Sequence, residues 1–314
     1  PGEQVEAYVS RGTETSIRVY EGEVEQFTSA QSEGIGVRII KDGRTGFAYA
    51  GTLDASVIRE VLADARDNVQ FGTPDECAGL AAPDGVAIRP LQLWDERLER
   101  CAAEEKIRLA KDLERRTLAG DKRIRVEGAD YADGAGEAAV ATSTGIRAAG
   151  RENGCYLSVS TLADDRGETM TGFGFAVGRD PQSLVVDKAA RDGVERASRL
   201  LGAGKPSSTR TTVVLDPFVT AQFLGIVSAT VNGEAVAKGR SIFRDRLGDQ
   251  VASPLLTIVD DPTDERAYTA TEVDGEGLAA RRNPIVSAGR LDRFVHSSYS
   301  ARRLGASSTG NAVR

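Results

Sequence analysis

His296 is the only histidine in a chain of 314 residues. It lies in Phe294-Val295-His296-Ser297-Ser298-Tyr299, with Ser300 close behind. An imidazole near hydroxyls is the raw material of nucleophilic hydrolysis, since histidine is the usual general base near neutral pH. A single histidine cannot supply a two-histidine zinc site, and any Ser-His or Cys-His pair has to use this one residue. Read as a strand, the segment sends His296 and Ser297 to opposite faces. No Gly-x-Ser-x-Gly elbow accompanies them. A structural histidine is the expected reading.

The other candidate donors are carboxylates and thiols. Asp260, Asp261, Asp264 and Glu265 offer oxygen ligands for calcium or magnesium, but Pro262 splits the run and the twelve-residue calcium-loop pattern is absent. Asp274 and Glu276 flank Gly275, with Gly277 following, which reads as a turn. Cys77, Cys101 and Cys155 are odd in number and widely spaced, without a C-x-x-C. That argues against a disulfide framework or zinc ribbon and fits a reducing cytoplasm. Gly202-Ala203-Gly204-Lys205-Pro206 mimics a phosphate loop. However, Arg199 stands where the first glycine belongs and Pro206 where Ser or Thr would hold magnesium.

Composition narrows the classes. There are 47 acidic and 40 basic residues, a net charge of −7, with the two signs interleaved. No basic stripe suggests direct nucleic-acid binding, and no run reaches the ~20 apolar residues of a membrane helix. The chain begins at Pro1 without an initiator methionine or signal-peptide pattern, and ends abruptly in Ser308-Thr309-Gly310-Asn311, so trimming at the ends is expected.

The elements that must position these groups read as α+β. Residues 5 to 50 form short alternating strands, turned at Glu21-Gly22, Ser32-Glu33-Gly34 and Lys41-Asp42-Gly43. A helix then starts after Asp54, with Val57, Ile58, Val61, Leu62 and Ala65 on one face. A Pro- and Gly-rich stretch follows. A charged helix is predicted from about Asp95 to Leu118, and a second meander over 122–179. A helix opening at Asp180-Pro181 is predicted to run to about Leu201. Both halves share the order meander, then helix, without a residue-level repeat. The expected organisation is an N-terminal α+β domain over 1–71, a linker over 72–92, a middle α+β domain over 93–203 and a C-terminal α/β-rich domain over 209–314. In the last, Thr211–Leu215 reads as a buried strand. Asp216-Pro217 starts a helix through Val231 that is apolar on nearly all sides, so Phe223, Leu224, Ile226 and Val227 are expected in the core.

Several blocks in order carry a family resemblance: Leu256 to Thr263 (LTIVDDPT), Val273 to Leu278 (VDGEGL) and Ser298 to Thr309 (SYSARRLGASST), with the opening Glu14–Gly51 meander. The chain resembles the TldD/PmbA family along essentially its whole length, and within it the PmbA or TldE branch. The resemblance implies a fold of antiparallel meanders covered by helices, then the C-terminal domain. It also implies chains that continue past Arg314. TldD-type members are implied to be zinc metallopeptidases with an HExxxH motif on the helix after Asp216-Pro217. Set against that motif, Gly225 falls at the first histidine, Ile226 at the glutamate and Thr230 at the second histidine. No His, Asp or Glu occurs from Phe218 to Val231, so a shift in alignment does not restore the ligands.

The resemblance therefore implies a subunit without its own metal or catalytic residues, zinc being expected only in a TldD-type partner. Together the two would form a heteromeric cytoplasmic peptidase acting on peptides or unfolded proteins. Family members also carry a gyrase-modulator label, for which no DNA contact is legible in this acidic sequence. An independent hydrolase and a peptide-binding scaffold are the alternatives.

Overall fold

The computed structural model describes residues 2–314. Strands β1 (Glu3–Tyr20), β2 (Glu23–Lys41) and β3 (Arg44–Ala50) form the first meander, followed by α1 (Ala55–Asn68). Its turns sit at Glu21-Gly22 and Asp42-Gly43, all four residues having positive φ. Ser32-Glu33-Gly34, expected as a turn between short strands, is instead held extended within the single long β2 by its pairing with Ser10–Gly12 of β1. Next come a short helix α2 (Glu96–Glu99) and the long α3 (Ala103–Gly120). The second meander is β4 (Ile124–Thr142), β5 (Arg147–Asp165) and β6 (Glu168–Gly178), followed by α4 (Val186–Ser198).

The two meanders merge into one antiparallel sheet of order β3-β2-β1-β4-β5-β6. The join is β1 against β4, in continuous register from Glu6↔Thr142 to Val19↔Ala129. Each half thus repeats two long strands, a short third strand and a helix, related by an approximate two-fold axis between β1 and β4. A matching detail appears in both halves. A Cβ on Gly46 of β3 would lie 2.1 Å from Ala65 O of α1, and one on Gly174 of β6 would lie 1.8 Å from Ala189 O of α4. In each half the helix backbone sits directly on the third strand, a distance only glycine permits.

All three covering helices lie on one face of the sheet. Ile17, Val19, Tyr131, Leu157 and Val159 pack against Leu113 and Ala110 of α3 and Ala189 of α4. Ile35, Val37 and Ile39 pack against Val61 and Ala65 of α1. Side chains alternate along a strand, so Ser10, Gly12, Glu14 and Tyr156 fall on the opposite, helix-free face. The result is an open half-barrel with helices outside.

The charged helix differs from expectation. It breaks at Ala102, whose backbone is extended (φ −68°, ψ 151°). Asp95 caps the first turn by accepting from Arg97 N at 2.9 Å, which buries Leu98 before α3 starts in a new direction. Pro181 opens only a 3-10 turn, Pro181–Ser183, before α4.

The remaining elements are α5 (Pro217–Thr230), α6 (Gly233–Ala237), β7 (Ile258–Asp260), β8 (Asn283–Ser287), β9 (Arg290–Leu291) and α7 (Ser298–Leu304). The core of this C-terminal unit is Val231, Val236, Ile285, Val286, Leu291 and Phe294. Two segments of this unit differ from the expectation of a buried strand and a buried helix. Thr211–Leu215 is not a strand but exposed coil, with Val214 92% exposed. Helix α5 forms, yet none of its residues is buried. Phe223 is 55% and Ile226 64% exposed. Its all-round apolar surface was read as a sign of burial, but only the end of the helix, through Val227 and Val231, reaches the C-terminal core.

Candidate functional site

Helix α5 starts where its sequence says it should. Pro217 occupies the first turn and Asp216 accepts from Val219 N at 2.9 Å, a capping arrangement that satisfies an otherwise free N–H. The hydrogen bond to Val219 N leads the causes that hold the Asp216 carboxyl below its ordinary range. The positions expected to be vacant ligand sites present no donors. Gly225 has no side chain, and a Cβ there would meet nothing within 4 Å. Ile226 offers only hydrocarbon. Thr230 Oγ1 donates to Val227 O at 2.7 Å. Zinc takes Cys, His, Asp or Glu ligands, so the residues on this helix do not fit the metal.

His296 lies just past the C-terminal end of α5, where Val295 N donates to Val231 O at 3.0 Å, and is buried with 6% exposure. Sequence reasoning treated it as part of a strand; instead Ser297 caps α7, accepting from Ser300 N at 3.3 Å. The change from extended chain to helix swings Ser300 back, and its Oγ comes 3.4 Å from His296 Nδ1. Both residues are sealed, Ser300 at 2% exposure. The imidazole abuts Gly233, and burial pulls its pKa below the ordinary value. This is a histidine–serine contact with no route for a substrate. Ser298 faces elsewhere, donating to Glu276 Oε1 at 2.5 Å.

The acidic candidates organise loops. Asp274 Oδ1 accepts from Glu276 N and Leu278 N, at 2.9 and 3.0 Å, and Oδ2 accepts from Ala312 N at 3.1 Å. Asp260 Oδ2 accepts from Asn311 Nδ2 at 2.7 Å, and Asp264 is paired with Arg266 at 2.6 Å. Among the described residues no group of three or more His, Cys, Asp or Glu side chains is arranged to hold a metal ion. The Cys155 thiol is pushed up to about 12, chiefly by burial, and stays protonated and unreactive at neutral pH.

The concave, helix-free face carries two troughs; of their lining, sequence reasoning weighed only the Val273-Asp274-Gly275 turn as a possible site, and none of the strand residues of the floor. A trough of about 350 Å³ lies beside Tyr8, Ala138, Gly150 and Glu272. A second, of about 620 Å³, lies over Gly12, Gly134, Gly136 and Gly154, under Tyr268. The run of Gly and Ala at alternate positions of β4 was the available signal: small side chains leave depth above a sheet. Toward the outer edge the same face carries large rings, Tyr156 and Phe175 lying 6.4 Å apart.

Comparison with known proteins bears on this architecture. Residues 5–69 match the PmbA/TldA metallopeptidase domain 1, 97–201 its central domain and 208–314 its C-terminal domain. The chain belongs to the PmbA/TldD family. Among curated relatives, Metalloprotease PmbA of Escherichia coli O157:H7 is 27% identical over 309 residues, covering 98% of this chain and 69% of that protein. A Metalloprotease TldD homolog of Haemophilus influenzae is 28% identical over 294 residues, covering 90% of this chain and 60% of that protein. Among solved structures, TldE from Thermococcus kodakarensis superposes with a TM-score of 0.86 at 21% identity, over 99% of this chain and 70% of that one. A Bacteroides thetaiotaomicron protein linked by name to DNA gyrase gives 0.91 at 23% identity, over 98% and 71%. At these identities the structural likeness speaks to the fold, which is the shared PmbA/TldD architecture. No helix among the described residues is long and apolar enough to cross a membrane.

Proposed function

We propose that this PmbA/TldD-family chain is a non-catalytic, TldE-type subunit. It would assemble with a TldD-type metallopeptidase and help enclose or guide peptide substrates. The observation that supports the reading is helix α5: a complete, capped helix follows Asp216-Pro217, and its Gly225, Ile226 and Thr230 provide no metal ligand. A zinc-bound nucleophile needs three protein ligands and an open position, so chemistry would have to come from the partner. The concave face suits the guiding role. It is open, deep over its glycines and bounded by sheet edges, and extended peptides are held by adding a strand to such edges. The cytoplasm is the compartment we assign, in keeping with three unpaired cysteines.

The test is co-expression with a TldD-type relative that carries HExxxH. Zinc content and peptide cleavage are measured for each chain alone and for the mixture. The expected result is no stoichiometric zinc on this chain, a stable hetero-oligomer and cleavage that requires the partner. Robust cleavage by this chain alone would promote the independent-hydrolase alternative. Failure to associate with any such partner would favour a scaffold.

A further inference from the structure

We propose that the outer edge of β6 takes up an uncharged, extended segment of the peptide as a seventh strand, and that Tyr156, Phe175 and Val177 select apolar side chains at alternate positions of it. This rests on the reading that the chain handles peptides.

The half-barrel has two outer strands, β3 and β6. Natural sheets guard such edges with charge, proline or shortness, because an unguarded edge pairs with any extended chain. The β3 side is guarded. β3 is seven residues long and opens on Arg44. It pairs with β2 only as far as Ile35, and the open stretch of β2 beyond carries Glu23, Glu25 and Glu33. On the opposite side, the stretch of β5 that β6 leaves open carries Arg147, Arg151 and Glu152, and Asn153 N donates to Leu93 O at 3.0 Å. β6 is different. From Thr169 to Gly178 it holds neither a charged residue nor a proline, in a chain that is 28% charged.

The side chains on this edge are ordered. Gly174 faces α4, so Phe173, Phe175 and Val177 face the concave side. The Phe173 and Phe175 rings stack at 6.4 Å, and Tyr156 lies 6.4 Å from Phe175. Same-side residues of an extended strand recur at about 6.4–6.8 Å. Alternate side chains of an added strand would therefore fall beside Phe173, Phe175 and Val177 in turn, within cross-strand range, with Tyr156 one strand further in, behind Val177. Phe218 of α5 closes one end of it, edge-on to Phe173 at 5.1 Å. Arg196 reaches round at the same point, its Nη1 donating to Phe173 O at 2.9 Å. That bond shows that the backbone groups of Phe173 point outward, so those of Phe175 and Val177 do too. The Val177 end is open, with Val177 43% and Tyr156 37% exposed.

The experiment uses the isolated chain and fluorescein-labelled decapeptides, read by anisotropy. One peptide alternates Phe or Val with Ser or Thr, a second has the same composition in block order, and a third alternates Lys with Ser. The alternating apolar peptide should bind roughly tenfold or more tighter than the other two. Val177→Lys should weaken it by a similar factor, while Thr28→Lys on the β2 edge leaves it unchanged. Tyr156→Ser, on the neighbouring strand, removes part of the ladder without touching the edge and should give the same loss if Val177→Lys does not fold. Equal binding of alternating and block peptides, or full binding by both variants, overturns the proposal. So does a Val177→Lys effect on self-association with peptide binding intact, which would make the edge a contact between copies. The subunit reading is tested separately: partner-dependent cleavage with no ladder effect sinks only this inference, and ladder-dependent binding without any TldD-type association sinks only that reading.

Discussion

Glu6 and Arg314, 308 positions apart, meet in a 3.0 Å ion pair that ties the C-terminal unit to the sheet. Glu6 is only 2% exposed, and its other carboxylate oxygen accepts from Arg38 at 2.9 Å. The Arg314 guanidinium also lies over the Tyr8 ring, 4.4 Å from its centroid, and its Nε donates to Gly275 O at 3.0 Å. One carboxylate thus serves two cations, and it stands on β1 at the rim of the concave face.

Glu6→Gln should therefore destabilise the protein. The amide keeps the shape but cannot accept from both arginines, and it leaves their charge poorly matched. A loss of about 1–3 kcal/mol is expected, in line with hydrogen bonds to charged groups and discounted because both arginines are part-exposed. Urea unfolding of the two proteins measures it, and an unchanged midpoint would show that the pair contributes little.

Helix α5 gives a second prediction, opposite to the one its composition suggests. Leu224 is 39% exposed, so Leu224→Ala should change stability by no more than about 0.5 kcal/mol, as for other surface positions. Leu157, fully buried in the sheet core, is the control. Its replacement by alanine should cost about 2–5 kcal/mol. A core-sized loss at Leu224 would mean that the helix is covered in solution.

The legible parts of the fold were those set by neighbours in sequence. The turns at Glu21-Gly22 and Asp42-Gly43 demand positive φ, and glycine next to a polar residue announces it. The same signal misleads at Ser32-Glu33-Gly34, which stays extended inside β2 because β1 pairs with it throughout. The cap at Asp216-Pro217 was read for the same reason. The join of β1 to β4 was not, because its partners are more than a hundred residues apart and neither strand encodes the other. The exposure of α5 was missed because periodicity reports which faces are apolar, not whether anything packs on them. The His296–Ser300 contact was missed because it depends on Ser297 switching the chain from extended to helical within one residue. The ligand positions Gly225, Ile226 and Thr230 were chosen by resemblance alone. They fall on the helix predicted after Asp216-Pro217, and its side-chain chemistry is readable from residue type.

Gly233 supplies a steric test of the buried histidine. A Cβ on Gly233 would lie 2.1 Å from His296 Nδ1 and 3.0 Å from Ser300 Oγ. These are not the free ends of flexible chains, since both residues are buried. Gly233→Ala should cost about 1–3 kcal/mol, the usual range for overpacking. Thermal unfolding checks it, and Gly204→Ala, in open coil with nothing near its Cβ, should be silent.

The same histidine predicts a pH dependence of stability. Burial holds the folded pKa of His296 below its ordinary value of 6.5, since the charged form loses its hydration there. Once the pH falls below about 6.5, the unfolded chain binds a proton that the folded chain refuses. The unfolded state then carries the extra proton, so stability rises with pH across the window between the folded pKa and 6.5. The contribution is fully present above that window and is lost as the pH drops through it. Urea midpoints measured at about pH 7.5 and 5.5 should therefore differ more for the native chain than for His296→Gln, which cannot titrate. An equal shift in both proteins would assign the acid sensitivity to carboxylates elsewhere and show that His296 is protonated as readily folded as unfolded.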